Sequence, residues 1–91
     1  MIKKEVTILN KQGLHARPAT ALVNTAAKYK SEIFICRDEK KVNGKSTLGL
    51  LVLAAEHGAK LIIEADGPDE KEAVEALGNL VGDHFGMGVN S

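Results

Sequence analysis

Tryptophan is absent, and Tyr29, Phe34 and Phe85 are the only aromatic residues. Three scattered rings offer little stacking surface for a run of single-stranded bases. The single cysteine, Cys36, forms no internal disulfide, which makes the reducing cytoplasm the expected compartment. The longest apolar run, residues 48–55, is far shorter than the roughly 20 residues that cross a bilayer. Met1-Ile2-Lys3-Lys4-Glu5 goes straight into alternation, without the apolar stretch of a signal peptide. Neither nucleic acid nor a membrane is therefore an expected partner. Repeats, low-complexity tracts and linkers are missing too, so residues 1–91 read as one domain. With 44% hydrophobic and 26% charged residues, the chain is too apolar to stay disordered. Its length allows one core, burying roughly 60–65% of the unfolded surface.

Charge sums to zero but is unevenly spread. Residues 1–59 carry ten Lys or Arg against five Asp or Glu, and residues 60–91 carry two against seven. Such asymmetry steers association more than it sets fold. It fits an acidic partner meeting the amino-terminal part, and equally an ordinary uneven surface.

Ile2, Lys4, Val6 and Ile8 alternate with Lys3, Glu5 and Thr7, the pattern of a strand buried on one face. A turn follows at Asn10-Lys11-Gln12-Gly13. Ala19, Leu22, Val23 and Ala26 then form the stripe of an amphipathic helix, with Lys28 and Lys30 suited to its carboxyl end. Residues 32–37 read as a second strand and residues 41–43 as a short third. Ser46 is a natural N-cap for a second helix, and Gly58 marks its stop. Leu61, Ile63 and Ala65 alternate into a fourth strand. Asp66-Gly67-Pro68 turns the chain. Asp69 and Glu72 have capping-box spacing, and Ala73, Leu77, Leu80 and Val81 stripe a last helix that ends near Gly82. Residues 83–91 are expected to fray. The order β-α-β-β-α-β-α predicts an α+β open-faced sandwich, a four-stranded antiparallel sheet covered on one face by three helices.

Chemistry concentrates in Gly13-Leu14-His15-Ala16-Arg17-Pro18-Ala19. Proline is tolerated in the first turn of a helix because it has no N–H to donate there. His15 therefore sits within about one turn of a helix start, where unpaired N–H groups and the macrodipole favour an anion. Arg17 adds planar donors suited to phosphate oxygens. A neutral imidazole keeps a nucleophilic lone pair, so a phosphoryl group transferred to His15 would meet both. Taken alone, His-x-Arg-Pro fits a plain helix-capping histidine as well. The proline rule places the first helical residue at Pro18 and disfavours helical geometry at Arg17.

Gly-Leu-His-Ala-Arg-Pro-Ala resembles the active-site signature of the HPr family, the histidine-containing phosphocarriers of the bacterial phosphoenolpyruvate-dependent sugar phosphotransferase system. The resemblance runs without a gap over about residues 2–82. It includes Val42-Asn43-Gly44-Lys45-Ser46-Thr47-Leu48-Gly49 and the Gly67-Pro68-Asp69-Glu70 entry to the last helix. It implies a carrier with no turnover of its own and no cofactor. Its His15 takes a phosphoryl group on Nδ1 from enzyme I and passes it to enzyme IIA domains. Arg17 supports the transfer, the first helix starts at about Ala16, and the Ala16 N–H faces the phosphate.

In many relatives from Gram-positive and some other bacteria, the serine matching Ser46 is phosphorylated by a dedicated kinase to control carbon use. The resemblance therefore extends the possible partners to HPr kinase/phosphorylase and a catabolite-control transcription factor. Leu48, Leu50, Leu51, Val52 and Leu53 are more apolar surface than a short helix buries against one sheet, so some should form a docking patch. The resemblance assigns Thr20, Thr47, Leu48 and Leu51 to it, and Thr47 departs from the bulky apolar residue usual at its position. A monomer is the expected state. Two other readings stay open: a carrier of the nitrogen-related branch, and a binding module acting through Ser46 alone.

The remaining reactive side chains read as structural. Gly44-Lys45-Ser46 resembles the end of a P-loop, but Glu39 stands where that motif needs glycine. Cys36 is expected as a core thiol, His57 near a helix end and His84 on the surface. Asp38 and Glu39 fall in a turn, and no zinc-ligand spacing can be drawn.

Overall fold

Alternation in the strands decides which side of the sheet is covered. The computed structural model describes residues 1–88. Its elements are β1 (Ile2–Thr7), α1 (Ala16–Ala26), β2 (Glu32–Arg37), β3 (Lys40–Asn43), α2 (Thr47–Val52), β4 (Lys60–Asp66) and α3 (Glu70–Gly82). The strands form one antiparallel sheet in the order β1-β4-β2-β3. Registers Ile2↔Ala65, Ile33↔Ala65 and Ile35↔Ile63 bring the apolar residues of three strands to one face. Ala19, Leu22 and Ala26 of α1, Leu50 beside Leu53 at α2, and Ala73, Leu77 and Val81 of α3 bury against them. The result is the expected open-faced α+β sandwich.

The uncovered face is polar, and it takes Cys36 out of the core. Cys36 is only half-buried, and its thiol donates to Glu64 Oε2 at 3.0 Å. Lys41 Nζ lies 3.3 Å from Glu64 Oε1 and 4.5 Å from the centre of the Phe34 ring. Burial, then the hydrogen bond and charge of Glu64, push the thiol up to about 11. The Cys36 hydrogen bond, with Lys41 behind it, holds the Glu64 carboxyl below the usual range.

Four local expectations give way to tertiary contacts. First, α2 stops at Val52 instead of running to Gly58, because Ala54 enters the left-handed region at φ 49°. The Arg37 guanidinium takes the carbonyls of Leu53 and Ala54 at 3.1 and 2.9 Å. His57 is consequently exposed in the loop beyond α2. Second, Asp69 makes no capping box. Its carboxylate accepts the N–H groups of Lys30 and Ser31, each at 2.9 Å, and the Ser31 hydroxyl at 2.5 Å. It thus ties the start of α3 to the connection before β2.

Third, α1 closes at Ala26 with no basic residue in its last turn, so Lys28 and Lys30 lie outside it. Fourth, the segment expected to fray contributes a residue to the core. His84–Gly86 form a 3₁₀ turn that buries Phe85 in the core, and buried Asn10 donates Nδ2 to the His84 carbonyl at 3.1 Å. His84 is half-buried rather than a surface residue. The last positions, 89–91, lie outside the described residues.

The Asp69 hydrogen bonds make a pH-dependent prediction. The Ser31 hydroxyl, followed by the Lys30 and Ser31 N–H groups, holds this carboxyl below the usual aspartate range. Its stabilisation is complete above the unfolded-state value and is lost as pH falls through the folded one. Asp69→Asn should therefore lower the thermal unfolding midpoint at pH 7. The deficit against the parent should close as pH falls below the ordinary aspartate range, and a deficit independent of pH would remove the charge from this role.

Candidate functional site

Glycine is required at position 13 before His15 can be placed at all. Gly13 sits at φ 72°, and a Cβ there would lie 2.4 Å from the Ala55 carbonyl oxygen. That oxygen accepts the Leu14 N–H at 2.8 Å, while the Gly13 N–H bonds the Asn10 carbonyl at 2.9 Å. Leu14 is buried, so the chain reaches His15 from a fixed anchor.

His15 takes the N-cap position of α1 with extended backbone, φ −90° and ψ −169°, and its side chain makes no capping hydrogen bond. Its carbonyl accepts the Ala19 N–H at 3.0 Å. Helix α1 therefore starts at Ala16, two residues before the proline rule placed it. Pro18 is buried in the first turn, where helical N–H groups have no intrahelical acceptor in any case. Tertiary packing overrides the disfavoured geometry at Arg17. The N–H groups of Ala16 and Arg17 point out of the helix start, and both residues are exposed. The His15 ring is half-buried, with Nε2 buried and without a hydrogen-bond partner among the described residues.

Helix α2 packs beside α1. Ser46 caps it as expected: its Oγ accepts the Gly49 N–H at 3.1 Å. Lys45 Nζ donates to the Tyr29 carbonyl at 2.8 Å, tying the start of α2 to the end of α1. Leu50 and Leu53 are buried, which turns Leu48 and Val52 outward at 77% and 62% exposure and leaves Leu51 at 37%. Thr47 is half-buried, and Thr20 is exposed on α1. Thr20, Ala16 and Arg17 line a shallow groove of about 440 Å³ that Met87 closes on the tail side.

Two parts of this surface were not read from the sequence. The apolar run was expected to leave some of its residues exposed, but Val52 was not singled out among them, and it is 62% exposed. Met87 belongs to the segment expected to fray, although Phe85 upstream was a possible anchor.

A family model described as "PTS HPr component phosphorylation site" matches residues 2–83. The chain belongs to the HPr family. It is 44% identical to the phosphocarrier protein HPr of Neisseria meningitidis serogroup A over 88 residues, 97% of this chain and 99% of the relative. It is also 42% identical to the HPr-like protein Crh of Bacillus subtilis over 81 residues, 89% of this chain and 95% of that one. The crystal structure of HPr-C-His from Thermoanaerobacter tengcongensis superimposes with a TM-score of 0.92 at 43% identity, covering 97% of this chain and 99% of that one. Phosphotransferase-system membership comes with the family.

The cap at Ser46 is testable without any partner. Removing the hydroxyl orphans the Gly49 N–H, so Ser46→Ala should cost about 1 kcal/mol in urea unfolding. A loss below about 0.3 kcal/mol would show that water replaces the cap at no penalty.

Proposed function

We propose that this HPr-family protein carries a phosphoryl group on His15 between enzyme I and enzyme IIA domains in the cytoplasm, as a monomer. The observation that carries the reading is the His15 ring at the open end of α1, with Nε2 turned inward and Arg17 exposed beside it. The inward Nε2 leaves Nδ1 as the nucleophile. Its lone pair attacks the phosphorus of the donor, the N–P bond forms, and the bond to the donor breaks with its electron pair returning to the donor. The charge that arrives is about −2. It meets the Ala16 and Arg17 N–H groups, the helix dipole and the Arg17 guanidinium. Transfer onward is the reverse step, and neither direction needs a metal or cofactor from this chain.

Leu48 and Leu51, with Thr20 and Thr47 at their margin, are the docking residues for both partners, since both must approach the same ring. Isotopically labelled phosphoenolpyruvate with enzyme I tests the whole assignment. The label should be lost in acid and kept in base, as for a phosphoramidate. His15→Ala should take none. Arg17→Ala should slow transfer while changing stability by under about 1 kcal/mol. Leu48→Glu should raise the half-saturating carrier concentration by leaving a charge in the docked interface. Labelling of His15→Ala would overturn the site, and size-exclusion chromatography would test the monomer. A structure of the Bacillus subtilis Crh protein, 40% identical, is described as a swapped dimer.

We further propose Ser46 as a site where phosphate inhibits docking, through HPr kinase/phosphorylase where an organism has one, and where a catabolite-control transcription factor is then recruited. Ser46 starts the helix that exposes Leu48 and Leu51, and a phosphate there is compatible with a helix start but repelled by an acidic partner. Ser46→Asp should fold normally and receive phosphate from enzyme I more slowly, with partial recovery at higher salt. A Ser46→Asp rate equal to the parent's at low salt would leave Ser46 as a cap alone.

A further inference from the structure

Helix α2 holds only six residues, Thr47–Val52, too few to stand without its ends being fixed. Ser46 and Lys45 fix the first end. The second end is fixed from the sheet. Arg37, the last residue of β2, sends Nη1 to the carbonyls of Leu53 and Ala54. Its Nη2 grips the Glu56 carboxylate through both oxygens, at 2.8 Å to Oε2 and closer to Oε1. One guanidinium thus holds residues on either side of Ala55. Ala55 is the residue whose carbonyl receives the Leu14 N–H and against which Gly13 is packed. The chain of contacts runs from Arg37 through Ala55 to Leu14, the neighbour of His15. The same side chain also anchors the helix that presents Leu48 and Leu51.

We infer that Arg37 is a positioning residue for phosphoryl transfer, setting the register between the docking helix α2 and the His15 loop; the inference rests on the phosphocarrier reading above. A partner docked on α2 finds His15 in place only while both are held to the same guanidinium. When Arg37 is lost, α2 and the loop move independently, and docking no longer delivers the ring to the phosphorus. Misplacement on the scale of 1 Å is enough to slow a reaction by about a hundredfold.

Simple destabilisation has a different signature. It lowers the folded fraction, which raises the half-saturating carrier concentration and leaves the saturating rate intact. Ala54 supplies a second control: at φ 49° it holds a conformation that glycine adopts without strain. Ala54→Gly should therefore return stability to an Arg37→Ala chain without rebuilding the link to Leu14.

The experiment measures single-turnover transfer from phosphorylated enzyme I across carrier concentrations. It compares the parent, Arg37→Ala and Arg37→Ala/Ala54→Gly, and reads amide hydrogen exchange at Leu14 against the β4 amides of the same molecule. Both variants should lose roughly tenfold in saturating rate, with half-saturation within about twofold of the parent. Leu14 should exchange roughly tenfold faster relative to β4. A parental saturating rate with only half-saturation raised, or full recovery of the rate in the double variant, overturns the inference. Parental exchange at Leu14 overturns it too, whether or not a partner is present. Failure of enzyme I to label the parent would instead strike the phosphocarrier reading, and the exchange measurement would still decide whether Arg37 holds the His15 loop.

Discussion

The hydrogen bond from the Leu14 N–H to the Ala55 carbonyl joins the loop after β1 to the loop after α2, and the geometry at His15 follows from it. It forces position 13 to be glycine, because any Cβ there would collide with the same carbonyl. It buries Leu14 and so fixes the direction in which the chain enters α1. With Pro18 and Ala19 buried one turn later, the helix start cannot slide along its axis. The imidazole is then left half-buried at an end where N–H groups face outward. A second backbone link runs parallel to it: the Gly58 N–H bonds the Ile8 carbonyl and the Ile8 N–H bonds the Ala59 carbonyl, at 2.8 and 2.9 Å. The segment after α2 therefore acts as a strut for the His15 loop rather than as a loose connection.

A sheet covered on one side sorts the reactive side chains. Everything proposed to handle phosphate lies on the helical side, while the open face gathers Cys36, Glu64, Lys41 and Phe34 into a self-satisfied cluster. A thiol pushed up to about 11 stays protonated at neutral pH, and only the thiolate is a good nucleophile. The one cysteine is thereby kept inert without being deeply buried. Its role is to donate a hydrogen bond to a carboxylate that is itself largely removed from water, a group that would be costly if left unpaired.

Most of the fold was legible because its signals are local and redundant. Alternation named the strands and both faces of β4, the i, i+3, i+4 stripes named α1 and α3, and a serine before an apolar run named the cap of α2. The His15 segment was legible through resemblance to a family; its residue types alone fit a plain cap better. The failures share one physical origin, side chains spent on partners far away in sequence. Asp69 has the spacing of a capping box but bonds Lys30 and Ser31. Arg37 looks like the polar end of a strand but closes α2. Phe85 follows Gly82 and the polar pair Asp83-His84, yet it completes the core beside buried Asn10. Local pattern holds no record of such contacts, and so helix ends and the packing of Phe85 were misread while helix existence was not.

A carrier faces a constraint that an enzyme with an enclosed site does not. The same imidazole must be reachable by a donor and by several acceptors, so it cannot be walled in, and phosphate must be held well enough to survive the journey yet weakly enough to leave. A helix start satisfies both demands. Its interaction with an anion is worth roughly 0.3–1 kcal/mol when solvent-exposed, far less than a buried, fully paired site would supply. On the docking role proposed for them, the exposed Leu48 and Leu51, with Val52 beside them, follow the same logic: affinity would reside in the contact with a partner, formed and broken at each transfer. Specificity then depends on how rigidly the patch and the ring are held relative to each other. On the positioning role inferred for Arg37, that rigidity comes from its guanidinium bonds on either side of Ala55 and from the Leu14 hydrogen bond to the Ala55 carbonyl, not from the chemistry of His15 itself.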